Sequence, residues 1–245
     1  MTADPDADQA PGSGSAPASD SASDPSAEFP PACRDPEVVA ALVDRDRRTS
    51  GTALRADGPG RSYSYREFVT TSYKAGNVLR YLGVRPGDEV LVVPRGLPEP
   101  VLAFFGAAQL GAVTRFADDV DGSPPRVVVA PAAREGDFDL PPGHRLAVYG
   151  DRPESATTTH WESEVWSENP AVHPVDVEGS DPLLATGDET VTHAGALAAA
   201  SDVADDGDLR PGIESVVDGP LTDADVAVSG LLAPILAGGT IVFPD

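Results

Sequence analysis

The chain has 245 residues, of which 40% are hydrophobic, so it is long enough to bury a sizeable core as one large domain or two subdomains. Forty Asp and Glu residues oppose seventeen Lys and Arg residues, and the net charge of −23 argues against nucleic acid and anionic membrane surfaces as partners. We expect a solvated acidic surface, which suits a high-salt cytoplasm because salt shortens charge repulsion to ~3 Å at 1 M.

Two further features of the composition restrict the class of protein. Cys33 is the only cysteine, which excludes an intramolecular disulfide, a CxxC redox pair and a zinc site built on cysteines. The first residues contain neither a basic stretch nor an apolar one, and no run of eighteen apolar residues follows. We therefore expect a cytoplasmic protein that does not span a membrane.

Residues 1–34 are predicted to form a disordered acidic tail. Up to Glu28 nearly every residue is Ala, Ser, Asp, Pro or Gly, and none is basic. Such a composition cannot bury enough apolar surface to offset the entropy that is lost on ordering. The folded domain is then predicted to cover residues 35–245.

Local signals predict the first elements of this domain. Asp35 and Pro36 are typical of a helix start, and we expect a short helix that ends near Arg48. Two short strands, 52–55 and 62–63, flank a turn and predict a hairpin. Ser64 and Glu67 then have the spacing of a capping box, which predicts a helix that stops at Gly83.

Helices and strands alternate through the middle of the chain. After a turn at residues 84–88, Pro98 and Pro100 fit the first turn of a helix that reaches Leu110. Residues 151–180 are polar and predict a surface connection with a short helix. Apolar runs predict strands at residues 89–93, 112–116, 126–130 and 145–149. The alternation predicts an α/β fold.

The sequence resembles the AMP-forming acyl-CoA synthetases, which are adenylate-forming ligases. Residues 62–68, SYSYREF, and 79–90, LRYLGVRPGDEV, resemble the family's "sYtYrEl" segment and its "lGvrpGDrV" turn. The resemblance continues in residues 102–113, 181–184, 192–200 and 230–243. It covers roughly the first half of a family member and implies the fold of the N-terminal subdomains, a mixed sheet flanked by helices.

The resemblance also implies a phosphate loop, rich in Ser, Thr and Gly and ending in lysine, between Leu184 and Thr192. Residues 185–191, ATGDETV, contain one glycine, two threonines, two adjacent carboxylates and no lysine. Like charges 4 Å apart cost about 4 kcal/mol at an effective dielectric constant of 20, so these carboxylates oppose triphosphate binding. The candidate nucleotide-binding residues of this vestigial loop are Thr186, Gly187, Thr190 and His193.

The histidines and the segment expected to line an acyl pocket predict no further binding site. His193 has two interpretations: it is a remaining site histidine of the family, or it packs at a helix N-terminus. The segment PLTD, residues 220–223, replaces the family's PLFH and so lacks the aromatic and histidine of the acyl pocket. The other histidines, in polar surroundings without zinc-binding spacing, predict no metal site; they are His144, His160 and His173.

These departures predict a degenerate synthetase-like protein with no catalytic residues and no cofactor, which binds a ligand or partner in a regulatory role. The alternative is a minimal or split synthetase that activates a carboxylate with ATP and Mg²⁺, a second polypeptide supplying the motifs expected beyond Asp245. A third class is an interaction protein that forms homo-oligomers through an exposed apolar patch. The expected partner is thus a second copy or another protein, and neither nucleic acid nor membrane.

Overall fold

The computed structural model describes residues 28–187 and 189–245, which form two β-sheets with helices between and around them. The strands are β1 (Thr52–Ala56), β2 (Arg61–Ser64), β3 (Glu89–Val92), β4 (Val113–Phe116), β5 (Val127–Pro131), β6 (Arg145–Tyr149), β7 (Thr159–His160), β8 (Pro182–Thr186), β9 (Glu189–Thr192), β10 (Glu214–Val216) and β11 (Thr240–Phe243). The α-helices are α1 (Tyr65–Tyr81), α2 (Pro98–Gln109), α3 (Trp161–Ser167), α4 (His193–Asp206), α5 (Ala224–Ala227) and α6 (Ala233–Ala237).

The larger sheet has seven strands in the order β7-β6-β5-β3-β4-β8-β9, all parallel except β9, which is antiparallel to β8. The smaller sheet has the order β10-β11-β1-β2, and β1 lies parallel to β11 and antiparallel to β2. The predicted fold class, alternating strands and helices with mixed sheets flanked by helices, is confirmed. None of the described helices is long and apolar enough to cross a membrane.

Helix α1 begins and ends where its sequence signals indicate. The Ser64 hydroxyl accepts a hydrogen bond from the Glu67 backbone N–H at 3.3 Å, and the Glu67 carboxylate accepts one from the Ser64 N–H at 2.9 Å. These hydrogen bonds with Ser64 hold the pKa of Glu67 below its usual value. The chain leaves the helix at Gly83, whose φ of +99° favours a residue without a side chain. The capping box and the glycine stop are both confirmed.

Helix α2 is buried along its whole length, so it forms the centre of the core. It crosses α1 at a pair of glycines: a Cβ atom on Gly106 would lie 2.6 Å from the Gly76 backbone nitrogen. Phe68 of α1 meets Phe105 of α2 edge to face, with ring centroids 5.2 Å apart. The predicted helix of residues 98–110 is confirmed, and its small residues allow the two backbones to touch.

The segment before β1 differs from its prediction. Instead of one α-helix to Arg48, the chain forms two short 3₁₀-helices, Val39–Val43 and Arg45–Arg47. Asp44 separates them with an extended ψ of 153°, and its side chain accepts a hydrogen bond from the Asp46 N–H. Tertiary contacts replace the missing helical bonds, because the buried Arg47 guanidinium donates to the carbonyls of Leu42, Pro31 and Ile235.

Residues 28–34, assigned above to the tail, pack against the domain. Phe29 and Cys33 contact the core, and the Cys33 N–H donates to the Leu236 carbonyl at 2.7 Å. The Gly51 N–H donates to the Glu28 carbonyl at 2.7 Å. The predicted tail boundary at residue 34 is therefore too far along the chain, while residues 1–27 lie outside the described part.

Helix α4 is anchored to the N-terminal segment by its first residue. His193 is fully buried, and its Nδ1 accepts a hydrogen bond from the Val39 backbone N–H at 3.2 Å. Burial lowers the pKa of His193 to about 4, although the charge of Asp181 acts in the opposite direction. The imidazole is therefore neutral at neutral pH. His173, expected in polar surroundings, is also buried and stacks on Tyr73 with ring centroids 5.7 Å apart.

We predict that Gly106→Ala lowers the free energy of unfolding by roughly 1–3 kcal/mol, because the added methyl group forces α1 and α2 apart. Urea unfolding followed by circular dichroism measures the change. Gly136→Ala is the matched control, since a Cβ atom there meets nothing within 4 Å. Equal stability of the two variants would contradict the close helix crossing.

A second prediction concerns pH. Because the folded pKa of His193 is about 4 and the unfolded value about 6.5, its contribution to stability is complete above pH 6.5 and is lost as the pH falls toward 4. The variant His193→Asn keeps an acceptor for the Val39 N–H but does not titrate. We expect wild type to lose on the order of 3 kcal/mol more than this variant between pH 7 and pH 4 in urea unfolding. Parallel pH profiles would refute the assignment of a neutral buried His193.

Candidate functional site

The segment in which the resemblance implies a phosphate loop is a tight β-hairpin. Thr186 at the end of β8 pairs with Glu189 at the start of β9, so only Gly187 and Asp188 separate the two strands. Gly187 has a φ of +57°, the left-handed conformation that two-residue hairpin turns of type I′ require. Asp188 itself lies outside the described residues. The expected loop between Leu184 and Thr192 is therefore mostly strand, and β9 was missed.

The hairpin brings three of the four candidate residues together. Thr186 and Gly187 form its tip, and Thr190 pairs with Ala185 one position behind it. His193 lies at the far end of β9, where its ring is buried against Val39. This contact fits the interpretation in which His193 packs at the helix N-terminus, and the structure does not place it with the other three.

A basic residue that the sequence analysis did not consider reaches the tip of the hairpin. Arg115 of β4 donates to both carboxylate oxygens of Glu89, at 3.0 and 2.9 Å, and to the Gly187 carbonyl at 3.2 Å. The only signal for it is a single charge in the otherwise uncharged strand VTRF. The guanidinium therefore joins β3, β4 and the β8–β9 turn.

The chemistry available at this tip is limited. A phosphate-binding loop directs several backbone N–H groups at one point, usually beside a helix N-terminus. In an antiparallel hairpin the strand N–H groups pair across the ladder instead, and the two hydroxyls of Thr186 and Thr190 remain as side-chain donors. The only lysine, Lys74, belongs to α1.

Asp223 and the histidines, at which the sequence predicts no site, make local contacts. Asp223, which stands where the resemblance implies a histidine, caps α5 by accepting a hydrogen bond from the Asp225 N–H at 2.9 Å. Among residues 28–187 and 189–245, no three His, Cys, Asp or Glu side chains come together as metal ligands. His144 contacts the Pro125 carbonyl and His160 the Ser163 hydroxyl, both at 2.6 Å.

Comparison with known proteins places these elements in one family's architecture. Residues 40–127 match the family model described as AMP-binding enzyme. Rice (Oryza sativa subsp. japonica) 4-coumarate–CoA ligase 3 is 44% identical over 59 residues, which are 24% of this chain and 11% of the ligase. Acetyl-coenzyme A synthetase of Xanthobacter autotrophicus is 36% identical over 77 residues, 29% of this chain and 12% of that enzyme.

Solved structures extend the likeness to most of the chain. Apo MatB from Rhodopseudomonas palustris has a TM-score of 0.68 at 15% identity, covering 84% of this chain and 44% of MatB. The N-terminal domain of FACL13 from Mycobacterium tuberculosis, in an inhibitor-bound structure, has a TM-score of 0.69 at 19% identity over 86% of this chain and 57% of that one. The chain thus spans about half the length of these relatives, and at such identities the likeness concerns the fold. It resembles the AMP-forming acyl-CoA synthetases in sequence and has the fold of their N-terminal part.

Proposed function

We propose that this chain is a degenerate acyl-CoA synthetase-like protein that does not perform ATP-dependent ligation by itself and acts by binding a ligand or a protein partner. The observation that carries this proposal is the closure of the β8–β9 hairpin with only two turn residues. An adenylate-forming enzyme must hold the ATP phosphates while a carboxylate attacks the α-phosphorus, and the hairpin replaces the loop that would do so.

The backbone supports the proposal first. Because Thr186 pairs with Glu189 and Ala185 with Thr190, pairing across the ladder extends to the residues next to the turn. A triphosphate needs several convergent N–H donors, and a two-residue turn offers too few of them.

Electrostatics supports it independently. Asp188 and Glu189 add two carboxylates at the turn, in a chain with a net charge of −23. The guanidinium of Arg115 already bonds both oxygens of Glu89, so its charge is largely balanced there. These carboxylates repel a triphosphate, whereas two threonine hydroxyls contribute only about 0.5–1.5 kcal/mol each as hydrogen-bond donors.

We predict that calorimetric titration of MgATP at molar salt gives no saturable heat, and that no carboxylate stimulates ATP–pyrophosphate exchange. A full-length 4-coumarate–CoA ligase assayed at its own working salt provides the positive control. The double variant Asp188→Asn/Glu189→Gln separates the two causes: we expect it to stay inactive, because it removes the repulsion but adds no phosphate donors.

Saturable MgATP binding together with exchange would overturn the proposal. That outcome would instead support a minimal or split synthetase in which Thr186, Gly187 and Thr190 contact the phosphates. Exchange that requires a co-purifying second polypeptide would identify the split form.

A further inference from the structure

An open groove of about 880 Å³ is lined by residues of α1, of α3, of strand β2 and of the first turns of α2. Small-molecule sites in proteins usually have volumes of roughly 300–1,000 Å³. The groove borders the β7 edge of the large sheet, whereas the β8–β9 hairpin lies at the opposite edge and contributes none of its lining. Whatever occupies the groove is therefore independent of nucleotide binding at the hairpin.

Two carboxylates in the groove, Glu99 and Glu162, are the floor carboxylates. Glu99 is 2% exposed; one of its oxygens pairs with Arg61, and its Oε2 is buried without a hydrogen-bond partner in the described part of the chain. Glu162 accepts a hydrogen bond from the Gly150 N–H at 2.6 Å, and its Oε2 is likewise buried without one. That oxygen lies 3.4 Å from the His160 Nε2, too poorly aligned for a hydrogen bond.

These unsatisfied oxygens call for a hydrogen-bond donor. A buried acceptor without a partner costs about 1–3 kcal/mol, and more when it is charged. Glu99 and Glu162 both belong to the lining of the groove. A cationic donor group, such as an ammonium, is the kind of ligand group that the charge of these two carboxylates favours.

The α1 wall of the groove carries two cations and one carboxylate, Glu67. Arg66, Thr70 and Lys74 follow one another at intervals of four residues, so they line one side of the helix over about 12 Å. Lys74 is the only lysine of the chain, and its Nζ donates to the Trp166 carbonyl at 3.1 Å on the opposite wall. Arg66 is exposed at the groove entrance.

The equal numbers of positive and negative side chains in the groove indicate the class of ligand that fits it. In a chain with more than twice as many acidic as basic residues, the groove lining contains three of each. The cations are Arg61, Arg66 and Lys74, and the carboxylates are Glu67, Glu99 and Glu162. A molecule that carries both charges complements such a mixed lining better than a simple cation or a simple anion does.

We propose that the groove binds a small zwitterionic molecule of the amino-acid type. Its ammonium group donates to the floor carboxylates, and its carboxylate lies against the cations of α1. Its hydrocarbon body packs on the apolar side chains between them, which are Leu102, Trp161 and Val165.

Tryptophan fluorescence tests the proposal directly, because both tryptophans of the chain, Trp161 and Trp166, line the groove. Trp166 is 86% exposed, so an occupant changes its solvent contact. The probe is 6-aminohexanoate, and hexylammonium and hexanoate are controls that each lack one charge. We expect a saturable fluorescence change with the zwitterion and at least about tenfold weaker binding of each control.

Variants assign the two ends of the ligand. Arg66→Gln, at an exposed position, is expected to weaken 6-aminohexanoate about tenfold while leaving hexylammonium unchanged. Glu162→Gln should weaken 6-aminohexanoate and hexylammonium alike. Asp202→Asn, exposed on α4 outside the groove, is the charge-matched control and should bind like wild type.

Glu99→Gln is a further test of the floor, and thermal unfolding must show that it folds, because it also loses the pairing with Arg61. Equal responses to all three probes, no saturable response to any of them, or wild-type binding by both Arg66→Gln and Glu162→Gln would overturn the proposal. The MgATP titration bears only on the hairpin, so failure of one proposal is distinguishable from failure of the other.

Discussion

The contact between the backbones of α1 and α2 is the constraint on which the rest of the fold depends. Because α2 is buried along its whole length, every face of it must meet another element, and the face toward α1 has no room for side chains at Gly76 and Gly106. The same glycine pair positions the segment that follows α3: the His173 Nε2 lies 2.5 Å from where a Cβ atom of Gly76 would be. A helix buried on all sides thus fixes the positions of its neighbours through close packing. Small changes of side-chain volume in such packing lower stability.

The altered hairpin, in contrast, lies where the fold tolerates change. Strand β9 is the last strand of the large sheet and pairs with β8 alone, so shortening the connection before it leaves the order of the other six strands unaffected. The side chains of β9 are exposed or half-buried, while β3 and β5 at the centre are mostly buried. A change of sequence at this hairpin is therefore compatible with an intact scaffold, because fold and site depend on different parts of the chain.

Elements that depend on neighbouring residues could be predicted from the sequence, and those that depend on distant ones could not. Ser64 and Glu67 hydrogen-bond to each other, so the start of α1 is visible in a four-residue pattern. Gly83 ends the helix because its backbone has a positive φ. The segment before β1 is shaped by Arg47, whose guanidinium reaches the carbonyl of Ile235, far along the sequence. No local sequence pattern contains that contact. The capping signal at Asp35 therefore predicted one α-helix, where the structure has two 3₁₀-helices held by hydrogen bonds from Arg47.

The candidate site shows the same division. The absence of lysine between Leu184 and Thr192 is visible in the sequence, but the hairpin that this segment forms depends on the pairing of β8 with β9. Arg115 could not be identified in advance, because its position at the hairpin tip follows from the order of strands in the sheet. The floor carboxylates likewise belong to α2 and α3, which only the fold brings to one groove.

The distribution of the few basic residues connects these observations. Several arginines connect separate elements: Arg47 donates to backbone carbonyls, Arg115 bonds Glu89 and the turn, and Arg134 pairs with three acidic side chains. Exposed pairs of this kind contribute little individually, yet they neutralise carboxylates that would otherwise repel one another. Arg66 and Lys74 are among the described cations that take part in no ion pair, and both line the groove. In so acidic a chain, two cations left unpaired by carboxylates along one helix face create the local positive potential that an anionic group requires.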